Sequence, residues 1–388
     1  MLLEADARRG QVRAGRGFMD VAILIGGCSP EHDVSLASAG QVLTHLDQRK
    51  WRPWPVLLDR DGRWRPATAP LGDGQRWSAG EHLDHAQPMS PGAAMDHLLE
   101  RCGVQLVFPV LHGPCGEDGT VQGMLELYDV PFVGSGCAAS ASAMDKVRTR
   151  QIFAAGDVPL ADAYLPAPGA PADVAAAFRD MRDAVGVPAF AKVDVSGSTV
   201  GVARIKRLED LRAFFDGYSG NYRRWFAERG VRGEELTVPV LGNTGGALTP
   251  LPPVGIYPRD DDWFTHDAKY RPGATEEIVP PRGLSPDQIR EVQELAVRCH
   301  ELLVCDGMSR TDMIYTHAGP VVLETNTIPG LTTNSLLPRA AAAAGLSFAG
   351  LVDRLLELAL ERHRGQGRAA PPSTAGGAPI RTAAQQAP

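Results

Sequence analysis

The first apolar stretch, Val21-Ala22-Ile23-Leu24-Ile25, has no polar interruption and runs into Gly26-Gly27. It predicts a strand buried on both faces and ended by a glycine turn. A helix is expected from Ser35 through Leu46, then a strand at Trp54–Leu58, a long loop rich in Gly, Trp and Pro, and a helix near Ala94 to Arg101. The strand Leu106–Leu111, the helix Thr120 to Tyr128 and a short strand Pro131–Val133 follow, closed by a second glycine turn at Gly134-Ser135-Gly136. Strand and helix alternate, so this part of the chain predicts a parallel sheet with helices on both faces, its ligands lying beyond the C-terminal ends of the strands.

The pattern then changes. A helix from Ala139 to Ala155 precedes the strand Ala189–Lys192, a loop of small residues from Val193 to Gly201, the strand Val202–Lys206 and a helix from Leu208 to Phe215. Further on, Met313-Ile314-Tyr315 and Val321-Val322-Leu323 flank a turn at His317–Pro320 and predict an antiparallel hairpin. Around it stand a long aperiodic segment, Pro258 to Pro281, a helix Pro286 to Leu303 and a closing helix Phe348 to Arg362. These changes divide the chain into regions 19–139, 140–236 and 237–362, with no internal repeat. Residues 1–18 are polar and 363–388 are Ala, Pro, Gly, Gln and Thr, so both ends are expected to be disordered, and Met19 is a candidate start.

Composition narrows the class. With 388 residues, 44% hydrophobic, 22% charged and a net charge of -7, the chain fits two or three acidic globular domains and offers no broad basic field for nucleic acid. Six cysteines form no C-x-x-C pair, which disfavours structural zinc and makes the cytoplasm the expected compartment. No run of eighteen apolar residues suggests a membrane span.

The densest candidate chemistry lies on the hairpin. If its strands pair, Asp312 and Glu324 stand side by side, and Glu324 and Asn326 share a face because strand side chains repeat every second residue. Two carboxylates and an amide oxygen suit magnesium, which takes one or two carboxylates and fills its octahedron with water and phosphate. The bland alternative is a hairpin with a wet polar side. Glu31 sits in the mouth of the first glycine turn, where its charge favours a cationic guest such as an ammonium over a pyrophosphate. Asp59, at the end of the second strand, keeps a dinucleotide-dependent oxidoreductase as a competing reading, although no G-x-G-x-x-G is present. Glu117 and Asp118 follow the turn after His112 and read most simply as acids in the first turn of the next helix. Lys146 and Lys192 are candidates for phosphate, and Glu228 and Glu235 for ribose hydroxyls, surface acid being the alternative for each glutamate. Lys269-Tyr270 falls in the aperiodic segment, which has the profile of a lid.

Taken in order, these motifs resemble the D-alanine–D-alanine ligases of the ATP-grasp superfamily over residues 19 to 362. The resemblance implies an α/β protein, an N-terminal doubly wound parallel-sheet domain followed by a two-part ATP-grasp fold. It implies ATP-dependent joining of two D-alanines through an acylphosphate for peptidoglycan precursors, by a cytoplasmic homodimer using two magnesium ions, with manganese as a substitute. Glu31 would then hold the ammonium of the first D-alanine, with His112 nearby. Lys146 and Lys192 would take ATP phosphates, Glu228 and Glu235 the adenosine side, and Lys269 the γ-phosphate. Ser198 and Tyr270 would form a triad with Glu31, and Asp312, Glu324 and Asn326 would bind the metal. Arg310 and the Gly330 amide would hold the reacting carbonyl oxygen, Ser335 and Leu336 the carboxylate of the second amino acid. Two departures stand out: Lys192-Val193 replaces the usual Lys-Pro, and Ser196-Gly197-Ser198-Thr199 replaces a Gly-Ser-Ser loop. The Gly26–Ser35 opening is similar to ligases that make D-alanyl-D-lactate or D-alanyl-D-serine, whereas Lys269-Tyr270 and Ser335-Leu336 look like the D-alanyl-D-alanine makers. A ligase for another amino acid pair is the remaining alternative within this class.

Overall fold

The computed structural model describes residues 18–72, 77, 83, 86–169, 171, 173–195, 201–218, 224–259 and 275–366. Three sheets organise them. The first has the order β3-β2-β1-β4, built from β1 (Met19–Gly26), β2 (Trp51–Leu58), β3 (Trp64–Pro66) and β4 (Leu106–Leu111). β2, β1 and β4 run parallel, and β3 turns back antiparallel at the edge.

The alternation along β1 shows why this sheet is covered on both sides. Val21, Ile23 and Ile25 pack with Ala39, Val42 and Leu43 of helix α1 (His32–His45) and with Leu351 and Leu355 of the closing helix. Ala22 and Leu24 point the other way, against Ala94, Met95, Leu98, Val121 and Leu125. Side chains of a strand alternate between faces, so an unbroken apolar run serves two cores at once. The doubly wound expectation holds in this arrangement. The Pro131–Val133 strand, by contrast, is reduced to one parallel bridge between Val107 and Phe132.

The second sheet, β5-β8-β6-β7, is antiparallel and comprises β5 (Ala163–Tyr164), β6 (Ala189–Val193), β7 (Val202–Ile205) and β8 (Trp225–Arg229). The third is antiparallel in the order β12-β11-β9-β13-β14, with β10 (Thr249–Pro250) beside β9. Its strands are β9 (Glu234–Leu241), β11 (Val254–Pro258), β12 (Thr275–Ile278), β13 (Met308–Thr316) and β14 (Gly319–Asn326). The boundary expected at 236/237 falls inside β9. One face of this sheet packs Leu236, Val238, Met313 and Val322 against Val292, Ala296 and Cys299 of the helix Pro286–Leu302.

The helix expected to run unbroken from Ala139 to Ala155 is two helices, Cys137–Met144 and Lys146–Ala155. Asp145 leaves the helical region (φ -81°, ψ 98°), and its carboxylate accepts the Arg148 N–H, ending one helix and capping the next. The break also has a partner: the Lys146 N–H donates to the Asp194 carbonyl at 2.8 Å. Arg224 then ties the junction by pairing with both Asp145 and Asp194. The helix expected at Ala94 to Arg101 begins at Pro91 and passes at His97 into a π-helical turn through Cys102. The helices Val174–Val185 and Leu336–Ala343 were not foreseen. The closing helix continues to Gly365, beyond the expected 362.

Candidate active site

The register of the β13–β14 hairpin decides the site. Asp312 is paired directly with Glu324, and Arg310 with Asn326. Across the other edge of β13, Thr237 faces Asp312 and Glu235 faces Ile314. By the two-residue repeat, Arg310, Asp312, Glu324, Asn326, Thr237 and Glu235 therefore lie on one face, opposite the apolar face that packs on the helix Pro286–Leu302. A bulge after Asp312 shifts the register by one residue, so Met313 pairs with Val322.

Asp312 is the hub of that face. Arg310 grips it with Nε at 2.9 Å and Nη2 at 2.8 Å, the Thr237 hydroxyl donates to it at 2.5 Å, and the Asn326 amide approaches at 3.4 Å. Glu324 accepts from Lys146 Nζ at 2.6 Å. Burial alone would depress the lysine's pKa, but Glu324, aided by Glu228 and Glu117, outweighs it and holds the ammonium above its usual value. Burial likewise opposes the charge on Arg310, and Asp312 followed by Glu324 and Glu117 overrides it. Glu324, Thr325, Asn326 and Thr327 line a small cleft with Lys146, Met144, Ala143 and Glu117.

Among the described residues, no group of three His, Cys, Asp or Glu side chains is gathered as a metal cage. The oxygen set that is present, two opposed carboxylates with an amide beside them, fits a hard cation that keeps several waters and meets phosphate oxygens, which is how magnesium binds.

On the opposite wall, the loops after β1 and β4 interlock. Ser29 Oγ donates to the His112 carbonyl at 2.6 Å and accepts the Glu31 N–H at 3.1 Å. Gly113, with φ +70°, lies so close that a Cβ there would stand 2.9 Å from Glu31 Oε2. His112 is buried with Nε2 at 3.2 Å from Ser38 Oγ. Burial pushes its pKa below the usual histidine value and Arg310 adds to this, while Glu31 and a backbone hydrogen bond with Ile328 oppose.

Glu117 corrects the sequence reading. It precedes the helix, which begins at Thr120, and it is 9% exposed, accepting the Gly113 N–H at 3.0 Å. Burial, then the neighbouring Glu31, push its carboxyl up to about 8. Stability should therefore depend on pH in a particular direction. The folded protein keeps this proton up to about pH 8, while an unfolded glutamate releases it near 4.5, so the contribution is intact at low pH and is lost as pH rises through that window. Glu117→Gln is expected to flatten the decline, which amounts to on the order of a few kcal/mol. Urea denaturation at pH 5 and pH 8, without nucleotide or metal, measures it; equal slopes in both proteins would refute the assignment.

Lys192 and Glu228 are brought together rather than set at opposite ends of a ligand. Lys192 Nζ lies 2.5 Å from Glu228 Oε2, and Arg150 pairs with the other carboxylate oxygen. Arg150 also donates to the Ala161 carbonyl at 2.6 Å. Glu228 thus holds two cations, and Arg150 is a site neighbour that its helical surroundings in sequence did not reveal. Gly330 and Ser335 also meet: a Cβ on Gly330 would stand 2.8 Å from Ser335 Oγ, which accepts the Thr332 N–H at 3.0 Å. Leu336 buries its side chain in the core, so what it can offer an anion is its backbone N–H in the first turn of the helix Leu336–Ala343. Asp59 is paired with Arg65 at 2.6 Å. Ser198, Lys269 and Tyr270 lie outside the described residues.

Two family models match in succession: one described as D-ala D-ala ligase N-terminus over residues 20–135, and one as D-ala D-ala ligase C-terminus over residues 161–357. The D-alanine–D-alanine ligase of Mycobacterium sp. strain KMS is 35% identical over 367 residues, covering 89% of this chain and 97% of that protein. Among solved structures, the D-alanine–D-alanine ligase from Coxiella burnetii superposes with a TM-score of 0.71 at 28% identity, covering 90% of this chain and 96% of that one. The VanG D-Ala:D-Ser ligase from Enterococcus faecalis gives the same TM-score and identity, covering 88% of this chain and 99% of that one.

Proposed function

The chain belongs to the D-alanine–D-alanine ligase family, and on that premise we propose that it joins two D-alanines to D-alanyl-D-alanine at the expense of ATP, for cell-wall precursors. The observation that carries this reading is the hairpin register: Asp312 opposite Glu324 and Arg310 opposite Asn326, facing the cluster of Glu31, His112 and Glu117. One wall offers hard oxygens and cations for a phosphate, the other an acidic pocket for an ammonium.

In this reading Glu31 holds the ammonium of the first D-alanine, so its carboxylate points at the γ-phosphate. Two anions must meet there, and Lys146 and Lys192 offset their repulsion and hold them in line. Asp312, Glu324 and Asn326 would hold magnesium, or manganese in its place, which when bound supplies positive charge against the phosphate oxygens. Attack produces an acylphosphate and ADP. The second D-alanine, oriented by the Ser335 hydroxyl and the Leu336 N–H on its carboxylate, attacks the acyl carbon with its neutral amine. The oxyanion that forms is met by Arg310 and the Gly330 N–H, groups already fixed in position, and its collapse expels phosphate. Water must be kept from the acylphosphate, the task assigned to the 258–281 segment with Lys269, Tyr270 and Ser198. Glu235 lies on the active face and serves the nucleotide side. The enzyme is proposed to work in the cytoplasm as a homodimer; among the described residues no helix is long and apolar enough to cross a membrane.

The test is release of ADP and phosphate with the full chain. It should require D-alanine and a divalent metal together. D-serine is the alternative acceptor favoured by the equal likeness to the D-Ala:D-Ser ligase structure. A preference for D-serine or D-lactate over D-alanine as second substrate at neutral pH would overturn the assignment of the acceptor, and ATP turnover indifferent to D-amino acids would overturn the ligase reading.

A further inference from the structure

Of the six cysteines, Cys299 and Cys305 are buried in the core, and Cys102 and Cys137 are half-buried. Cys28 and Cys115 are both exposed, and they occupy the two loops that interlock beneath the ammonium pocket. Cys28 precedes Ser29, whose hydroxyl is bonded to the His112 carbonyl, and Cys115 follows Gly113, which lies against Glu31. Cys115 sits in the left-handed region at φ 66°, and its backbone N–H is held by Asp118 at 2.8 Å. The Cys28 and Cys115 thiols lie close enough to influence one another.

We propose that Cys28 and Cys115 form a dithiol modification site: a low-molecular-weight disulfide oxidises them to an intramolecular disulfide that clamps the two loops and slows the enzyme reversibly. The chemistry balances as two exchange steps. One thiolate attacks a sulfur of RSSR, breaking that S–S bond, forming a protein–SR mixed disulfide and releasing RS⁻, which takes up the thiol's proton. The second thiol then attacks the protein sulfur, forming the Cys28–Cys115 bond and releasing the second RSH. Two electrons pass from the protein to RSSR. Burial and the neighbouring Cys28 thiol push Cys115 up to about 11, which suits it to the second step rather than the first. Labile disulfides of this kind in reducing compartments serve sensing rather than stability.

The consequence for turnover follows from that bond. A covalent bond between the two loops replaces their adjustable hydrogen bonds with a fixed spacing and restrains Glu31, three residues after Cys28, and Glu117, two after Cys115. A misplacement of about 1 Å at a reacting centre can cost roughly a hundredfold, so a fall of about tenfold or more is expected. This activity readout rests on the ligase reading; the bond itself does not.

The experiment treats the full-length protein with oxidised glutathione and maps its peptides without reduction. A Cys28–Cys115 linked peptide is expected, with loss of two free thiols, a drop in ADP release of about tenfold, and recovery with dithiothreitol. Cys28→Ser and Cys115→Ser should each be active when reduced, form no linked peptide and keep their rate in oxidised glutathione. Glutathione on either cysteine alone, a bond between other cysteines, or a linked peptide with unchanged turnover would each overturn the proposal. If the reduced protein releases no ADP at all, the ligase reading fails while the peptide map still judges the bond.

Discussion

Glu324→Ala is expected to lower ATP-driven dipeptide formation by at least about a thousandfold, the rate equivalent of several kcal/mol of lost transition-state charge stabilisation. The substitution acts twice. It removes one of the two opposed carboxylates proposed for magnesium, and it leaves the Lys146 ammonium, 12% exposed, without the partner at 2.6 Å that offsets its burial. Breaking such a pair costs folding stability as well, because a charge left alone in a poorly solvated place is penalised. Glu324→Gln keeps the shape and separates the effects: the melting temperature should recover part of its loss while turnover stays low at ordinary magnesium. Dipeptide formation unchanged in Glu324→Ala would show that the hairpin acids do not hold the metal.

Arg310→Met should come next in size, with kcat down by about 10²–10³-fold, the usual effect of removing one preorganised donor from an oxyanion. KM for ATP should move little, since the guanidinium is committed to Asp312 by two hydrogen bonds and points toward the acid cluster. Arg310→Lys is not expected to rescue the rate, because an ammonium cannot make the two parallel bonds that hold a guanidinium in one plane. Steady-state kinetics with varied ATP and varied D-alanine distinguish the outcomes. A raised KM for D-alanine at unchanged kcat would make Arg310 a ground-state binder and remove it from the oxyanion role.

The parts of this architecture set by local pattern were legible before the structure. The run Val21–Ile25 and the strand Leu106–Leu111 are apolar on both faces, and only a doubly covered sheet accommodates them. The turn between Thr316 and Gly319 marked the hairpin in advance, but the pairing of Asp312 with Glu324 rather than with Leu323 comes from the bulge after Asp312, which the pattern did not show. What was not legible depends on partners distant in the chain. Asp145 breaks a helix whose flanking sequence continues the helical pattern, because Asp194 and Arg224 reward the break from the second sheet. Glu117 reads locally as an acid at a helix start; its burial beside Glu31 comes from the interlocking of two loops separated by more than 80 residues. The helix Leu336–Ala343 was obscured by Pro338 in its first turn, a position that tolerates proline because the first N–H groups of a helix have no internal partner.

Lys146 donates its backbone N–H to Asp194 of the second sheet's strand end and its side chain to Glu324 of the third sheet. Mechanically it is a rivet between two plates. Any sliding of one sheet over the other must carry the ammonium with it or shear one of those bonds, so grip on a phosphate and alignment of the sheets vary along a single coordinate. A change at Arg224, which braces the rivet from behind without belonging to the cleft, would therefore register in a binding assay as weakened nucleotide affinity.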